Sequence, residues 1–206
     1  MSLITESPNP ASSNNPRHTV LTDHDIYLFK QGTHFRLYEK LGAHLGERDG
    51  VSGTWFSVWA PNAKQVSVIG QFNNWSKEAD LLSPIEGGAG IWQRFVAGAG
   101  HGDEYKFHIT SHHNNYFVDK GDPYAYYWQE PPSTASRIWH LAYQWGDDQW
   151  MRDRSRCNAP DAPWAIYEVH LGSWMRMPEH ANRFLTYREI APRLASHVKQ
   201  MGFTHV

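Results

Sequence analysis

A series of short runs between residues 53 and 111 constrains this chain more than anything else in it: "GTWFSVWAP", "KQVSVIGQF", "GIWQRFVAG" and "DEYKFHITS". In the first, Trp55, Ser57 and Trp59 alternate with Phe56, Val58 and Ala60. In the second, Val66 and Val68 alternate with Ser67 and Ile69. A period of two sends successive side chains to opposite faces, so such a run buries one face only as a strand. Pro61-Asn62 closes the first run, and the glycine-rich "EGGAG" and "GAGHG" divide the later ones. Short strands at this spacing predict an antiparallel β-sandwich of immunoglobulin-like build, so the chain is expected to be mainly β.

The pattern has limits on both sides. "MSLITESPNPASSNNPRH" is rich in Ser, Asn and Pro and predicts a disordered tail over 1–22. The sandwich is expected over 23–130, and the polar stretch 131–162 reads as a connector. Beyond Pro163 the grammar changes. "WAIYEVHL" reads as a strand buried on both faces. "TYREIAPRLASHVKQMG" then predicts a helix over 186–201. Thr186 and Glu189 form a capping box, Gly202 stands at the end, and Pro192 is the blemish. Tyr187, Ile190, Ala191, Leu194, Val198 and Met201 share one face. "GFTHV" opens a second strand. Strand, helix and strand begin a parallel sheet, and one such unit cannot bury its own apolar faces. The expectation is the front portion of something longer.

Composition narrows the partners. With 19 basic and 21 acidic residues the net charge is −2, which points away from nucleic acid and anionic membranes. No apolar run reaches spanning length, and the amino terminus lacks a signal-peptide layout. The single cysteine, Cys157, excludes an internal disulfide and fits a cytoplasmic setting. The 10 Trp, 10 Tyr and 9 Phe supply core, and also the kind of face that stacks on sugar rings.

Two groups of motifs carry a resemblance. "GQFNNWS" (70–76) after an alternating strand, with "YKFHI" (105–109), resembles the glycogen- and starch-binding sandwich of glycogen-modifying enzymes and of an energy-sensing kinase. "YEVHLGSW" (167–174), "YREIA" and "MGFTHV" resemble the first strand, first helix and second strand of the barrel in glycogen branching enzymes of the α-amylase superfamily. "LYEKLGAHL" and "DPYAYYW" are similar to the same family. The resemblance implies a sandwich followed by the first βα unit of an incomplete (β/α)8 barrel. It implies an enzyme that cuts α-1,4-glucan and passes the chain to a 6-hydroxyl, acting on glycogen as a monomer without cofactor. Retention of configuration needs two carboxylates about 5 Å apart. The family carries them on later barrel strands, so no catalytic residue is assigned here, and this stretch alone is expected to be inactive. A stand-alone glucan-binding module and a debranching or trehalose-releasing relative are the alternatives.

Three residues are carried over as glucan-binding: Trp75 to stack, Lys106 to donate to hydroxyls, and Tyr116 where the kinase-type module has a second tryptophan. The competing readings are a Trp packed under its turn, a solvated strand lysine and an ordinary surface tyrosine. His108, His112 and His113 lack partners that would complete a metal geometry and read as surface histidines. Glu168 and His170 alternate on one strand and read as structural, pointing into the barrel interior or its packing layer. Asp119 and Asp122 in "DKGDP" read as turn formers.

Overall fold

The computed structural model describes residues 20–206 except Gly88 and Asn115. All but residues 20–22 of the expected tail therefore lie outside the described residues. The chain divides into two units, one ending at Ala142 and one comprising Tyr143–Val206.

In the first unit, the alternating runs become strands. β1 (Gly42–Arg48), β2 (Val51–Trp59), β4 (Ser83–Pro84) and β5 (Ile91–Ala97) make one antiparallel sheet in the order β1-β2-β5-β4. β3 (Ala63–Gly70), β6 (Glu104–Ser111), β7 (Phe117–Lys120), β8 (Tyr127–Trp128) and β9 (Ser136–Arg137) make the second. Its order is β3-β6-β9-β8, with β7 also on β6. Phe56 and Val58 from the first sheet, and Val66, Val68, Tyr105 and Phe107 from the second, share one buried cluster. The two inner faces thus form one apolar core, as in a β-sandwich.

The sheet runs past the expected limit at residue 130. β9 pairs with both β6 and β8, and Ala135, Ser136 and Ile138 are buried. Only Ser136 and Arg137 are strand, too short a run for alternation to be read from sequence, and burial of Ile138 holds them in place.

Two helices stand outside the expected elements. α1 (Asp23–Gln31) has local signals: Thr22 and Asp25 cap it reciprocally, and Gly32 ends it at φ 69°. Burial alone would raise the Asp25 carboxyl. Hydrogen bonds from Thr22, His34 and Lys40 outweigh it and hold the group well below the usual carboxylate range. This polar knot fixes α1 beside the smaller core of Ile26, Leu41 and Ile91. α2 (Asp148–Cys157), in the second unit, has no buried residue and hence no apolar stripe to read.

The second unit also holds the expected helix, α3 (Tyr187–Gln200), with its Thr186–Glu189 capping box. Arg183 on Glu189, before the Thr186 backbone and hydroxyl, keeps that carboxyl well below its ordinary range. Of the expected apolar face, Ile190 is buried while Tyr187 and Met201 are exposed. The flanking runs pair in parallel at a bridge from Ile166 to His205, with the Thr204 and His205 N–H groups donating to the Ala165 carbonyl and the Tyr167 N–H to the His205 carbonyl. The expected two-sided burial of "WAIYEVHL" is not met: Trp164, Ile166, Glu168 and His170 are exposed and alternate with half-buried Ala165, Tyr167 and Val169, so only one face of the run is packed against.

Candidate functional site

The centre of the candidate site is the turn after β3. Gly70 lies so close to its neighbours that an added Cβ would sit 2.5 Å from the Glu104 carbonyl oxygen and 2.6 Å from the Phe72 ring. Asn73 then fastens the turn. Its Oδ1 accepts from the Gly70 N–H at 2.9 Å, and its Nδ2 donates to the Val68 carbonyl at 2.9 Å and to Asp80 Oδ2 at 2.8 Å. The next two residues are both left-handed, Asn74 at φ 53° and Trp75 at φ 59°. Asparagine tolerates that region; a bulky tryptophan does so only where its surroundings impose it. The Trp75 N–H donates to the Gly70 carbonyl at 2.8 Å, which supplies the constraint. The indole is 38% exposed, so the packed-under reading of Trp75 holds only in part.

Lys106 lies on β6 opposite Ile69, one register position from Gly70. Tyr105 and Phe107 on either side of it are buried, so alternation puts Lys106 on the outer face. Its Nζ donates to Thr134 Oγ1 at 2.7 Å, a partner that fixes the ammonium and that sequence reasoning did not foresee. The same face carries the Glu104–Arg137 ion pair at 2.8 Å. It also carries Tyr127, stacked on Trp139 with centroids 4.6 Å apart. Hydrogen bonding, from Gln129 first and then Arg137, lowers the Glu104 carboxyl. Thr134 and Trp139 lie beyond Trp128, where the strand signal fades, and "SRIW" with its outward Arg137 and Trp139 around buried Ile138 was the one available clue.

Tyr116 is 60% exposed but stands elsewhere. Its carbonyl accepts from the Ser111 N–H, and Ser111 pairs with Ala63 at the far end of β3 and β6 from Gly70 and Tyr105. Six residues of strand separate the two ends, about 20 Å at roughly 3.3 Å per residue. Trp75 and Lys106 are therefore brought to one end of the sheet and Tyr116 is not.

Among the other polar candidates, His108, Asp119 and His170 have internal partners. His108 Nδ1 and Asp119 Oδ1 are 2.6 Å apart, and His170 Nδ1 and Ser173 Oγ are 2.8 Å apart. Asp122 departs from its turn-former reading. It does hold a turn, accepting at its carbonyl from Ala125, yet its side chain is wholly buried. Oδ2 accepts from Tyr105 Oη at 2.6 Å and Oδ1 from the Tyr124 N–H at 2.8 Å. Burial pushes this carboxyl up to about 6 against those hydrogen bonds, and pushes the Tyr105 hydroxyl well above its ordinary value.

Comparison with known proteins bears on this geometry. Residues 40–125 match the family described as carbohydrate-binding module 48, the isoamylase N-terminal domain. The chain is 55% identical over 185 residues to the 1,4-alpha-glucan branching enzyme GlgB of Albidiferax ferrireducens, covering 90% of this chain and 29% of that protein. It is 50% identical over 188 residues to the corresponding enzyme of Aquifex aeolicus, covering 91% of this chain and 30% of that one. It thus spans less than a third of these relatives' length. Among solved structures, the pullulanase PulA of Klebsiella oxytoca is 25% identical over 51% of this chain and 10% of that chain, with a TM-score of 0.41.

Proposed function

We propose that this chain is the amino-terminal, glucan-facing part of a 1,4-alpha-glucan branching enzyme, working in the cytoplasm as a monomer. The whole enzyme cleaves an α-1,4-glucan and transfers the freed chain to a 6-hydroxyl, forming the α-1,6 branches of glycogen. The observation that carries this reading is identity of about half over nine-tenths of the chain, extending across both units. A stand-alone binding module would account for residues 40–125 and leave the second unit unexplained. The sandwich then has an immunoglobulin-like build. The parallel bridge from Ile166 to His205, with α3 between its halves, supports reading 163–206 as the first βα unit of a (β/α)8 barrel.

A chimera tests the activity. Joined to the remaining seven-tenths of the Albidiferax ferrireducens enzyme in place of its own counterpart, this chain is expected to give a protein that branches amylose, read as loss of iodine colour. A folded but inactive chimera would count against the assignment.

In this reading the sandwich holds glucan at the Trp75 end. The indole stacks on a glucosyl ring, and Lys106, steadied by Thr134, donates to its hydroxyls. Tyr116 contacts only a chain long enough to reach the other end of the sheet. Affinity electrophoresis in glycogen gels is the check. Trp75→Ala is expected to weaken retardation about tenfold, roughly 1.4 kcal/mol, and Lys106→Ala by several fold. Mobility equal to the parent at every glycogen concentration would remove both residues from the site.

A further inference from the structure

The sheet opposite the one that carries Lys106 has its own hollow. On its outer face, residues of β2, β4 and β5 and the end of β1 enclose a cavity of about 410 Å³, within the range of small-molecule sites. Its floor is aromatic. Trp55 and Phe95 are register neighbours that point away from the core, their rings 5.3 Å apart and tilted by 53°. Arg48 lies over the indole, its guanidinium carbon 5.9 Å from the ring centroid. Ser83 and Gln93 add neutral hydroxyl and amide groups to the wall.

The charges around this cavity decide what it suits. Among the described residues, no carboxylate lines it. Of the two lining arginines, Arg94 is committed to Asp80 Oδ1 at 3.2 Å and to the Leu81 carbonyl at 3.0 Å. Arg48 has Asp49 at 3.6 Å. An aromatic pair beside neutral hydroxyl and amide groups suits a ring with many hydroxyls, to which the Arg48 guanidinium can also donate.

We propose that this hollow is a second α-glucan contact, on the sheet opposite the Trp75–Lys106 end, in which a glucosyl ring stacks on Trp55 and Phe95 while Arg48, Ser83 and Gln93 meet its hydroxyls. The identity of the ligand rests on the function proposed above; the cavity does not. Two faces of one sandwich then hold two glucan segments, which raises the local concentration of chain ends beyond what either contact provides alone.

Titration of the ¹⁵N-labelled full chain with maltoheptaose tests this, following the indole N–H resonances. Trp55→Phe identifies the Trp55 signal, and Trp75→Ala that of Trp75. The Trp55 signal is expected to shift saturably and to keep shifting in the Trp75→Ala protein, or in Lys106→Ala should Trp75→Ala fail to fold. Gln93→Ala is expected to raise the maltoheptaose concentration needed at Trp55 at least threefold. A Trp55 signal that stays still while that of Trp75 moves overturns the second contact and leaves the proposed function standing. So does a Trp55 shift that disappears with the loss of Trp75. Stillness of both signals overturns both readings. An equal response of Trp55 to inorganic phosphate makes the hollow an anion site and overturns the glucan contact.

Discussion

Phe56→Ala is expected to destabilise the sandwich by about 3–5 kcal/mol, the range for truncating a fully buried phenylalanine. Phe56 sits on β2 with no exposed surface. Its ring lies 5.1 Å from that of Tyr105 on β6 and 5.6 Å from that of Phe72, so it joins the two sheets. Removing it loses the transfer free energy of the ring and opens a cavity at the middle of the core. The strands around it are hydrogen-bonded on both sides of β2 and cannot collapse inwards without losing that pairing. Phe56→Leu keeps most of the volume and should cost roughly 1.5 kcal/mol or less. Urea unfolding of the first unit measures this, as a lower midpoint at unchanged slope. A loss below about 1 kcal/mol for the alanine variant would mean that Phe56 does not bridge the sheets.

Asp122→Ala is expected to cost about 3 kcal/mol. Tyr105 Oη and the Tyr124 N–H would both lose their acceptor in a site that water does not reach, and an unmet buried donor costs about 1–3 kcal/mol. Asp122→Asn retains the shape and one acceptor and should lose less. It should also change the pH dependence. Burial raises the folded carboxyl from 3.8 to about 6. Between those values the folded state holds the proton more firmly than the unfolded state does. The contribution is therefore fully present below about pH 4 and is lost as pH rises through 6, by up to about 3 kcal/mol at 1.36 kcal/mol per unit. Asparagine carries no such proton. Urea midpoints between pH 4 and 7 should show Asp122→Asn gaining on the parent as pH increases; parallel curves would show that Asp122 is not the titrating group.

Both residues mark how far the sequence could be read. Alternation put Phe56 on one face of its run with Val58 and Ala60, and the structure makes that face the buried one. Asp122 lies in "DKGDP", where the composition signals a turn. The turn is there, yet nothing local reveals that Tyr105, 17 residues away, delivers its hydroxyl to the carboxylate. Trp75 and Lys106 could be named from their motifs. Their shared end of the sheet follows from Ile69 pairing with Lys106, which is a matter of register.

The strands of the sandwich core, the α3 helix with its capping box, and the turn that carries Trp75 were determined by the sequence itself. Their signals are local: a period of two, a cap three residues from its partner, an asparagine pair after a strand. Only the tertiary structure decided that β8 and β9 extend the sheet, that Tyr116 is held at the Ser111 end of β6 and not at the Tyr105 end, and that Asp122 is buried. Each of these depends on which distant segment a residue packs against. That pairing follows from the closure of a whole core, to which a two-residue strand or a single carboxylate contributes too little to leave a pattern of its own.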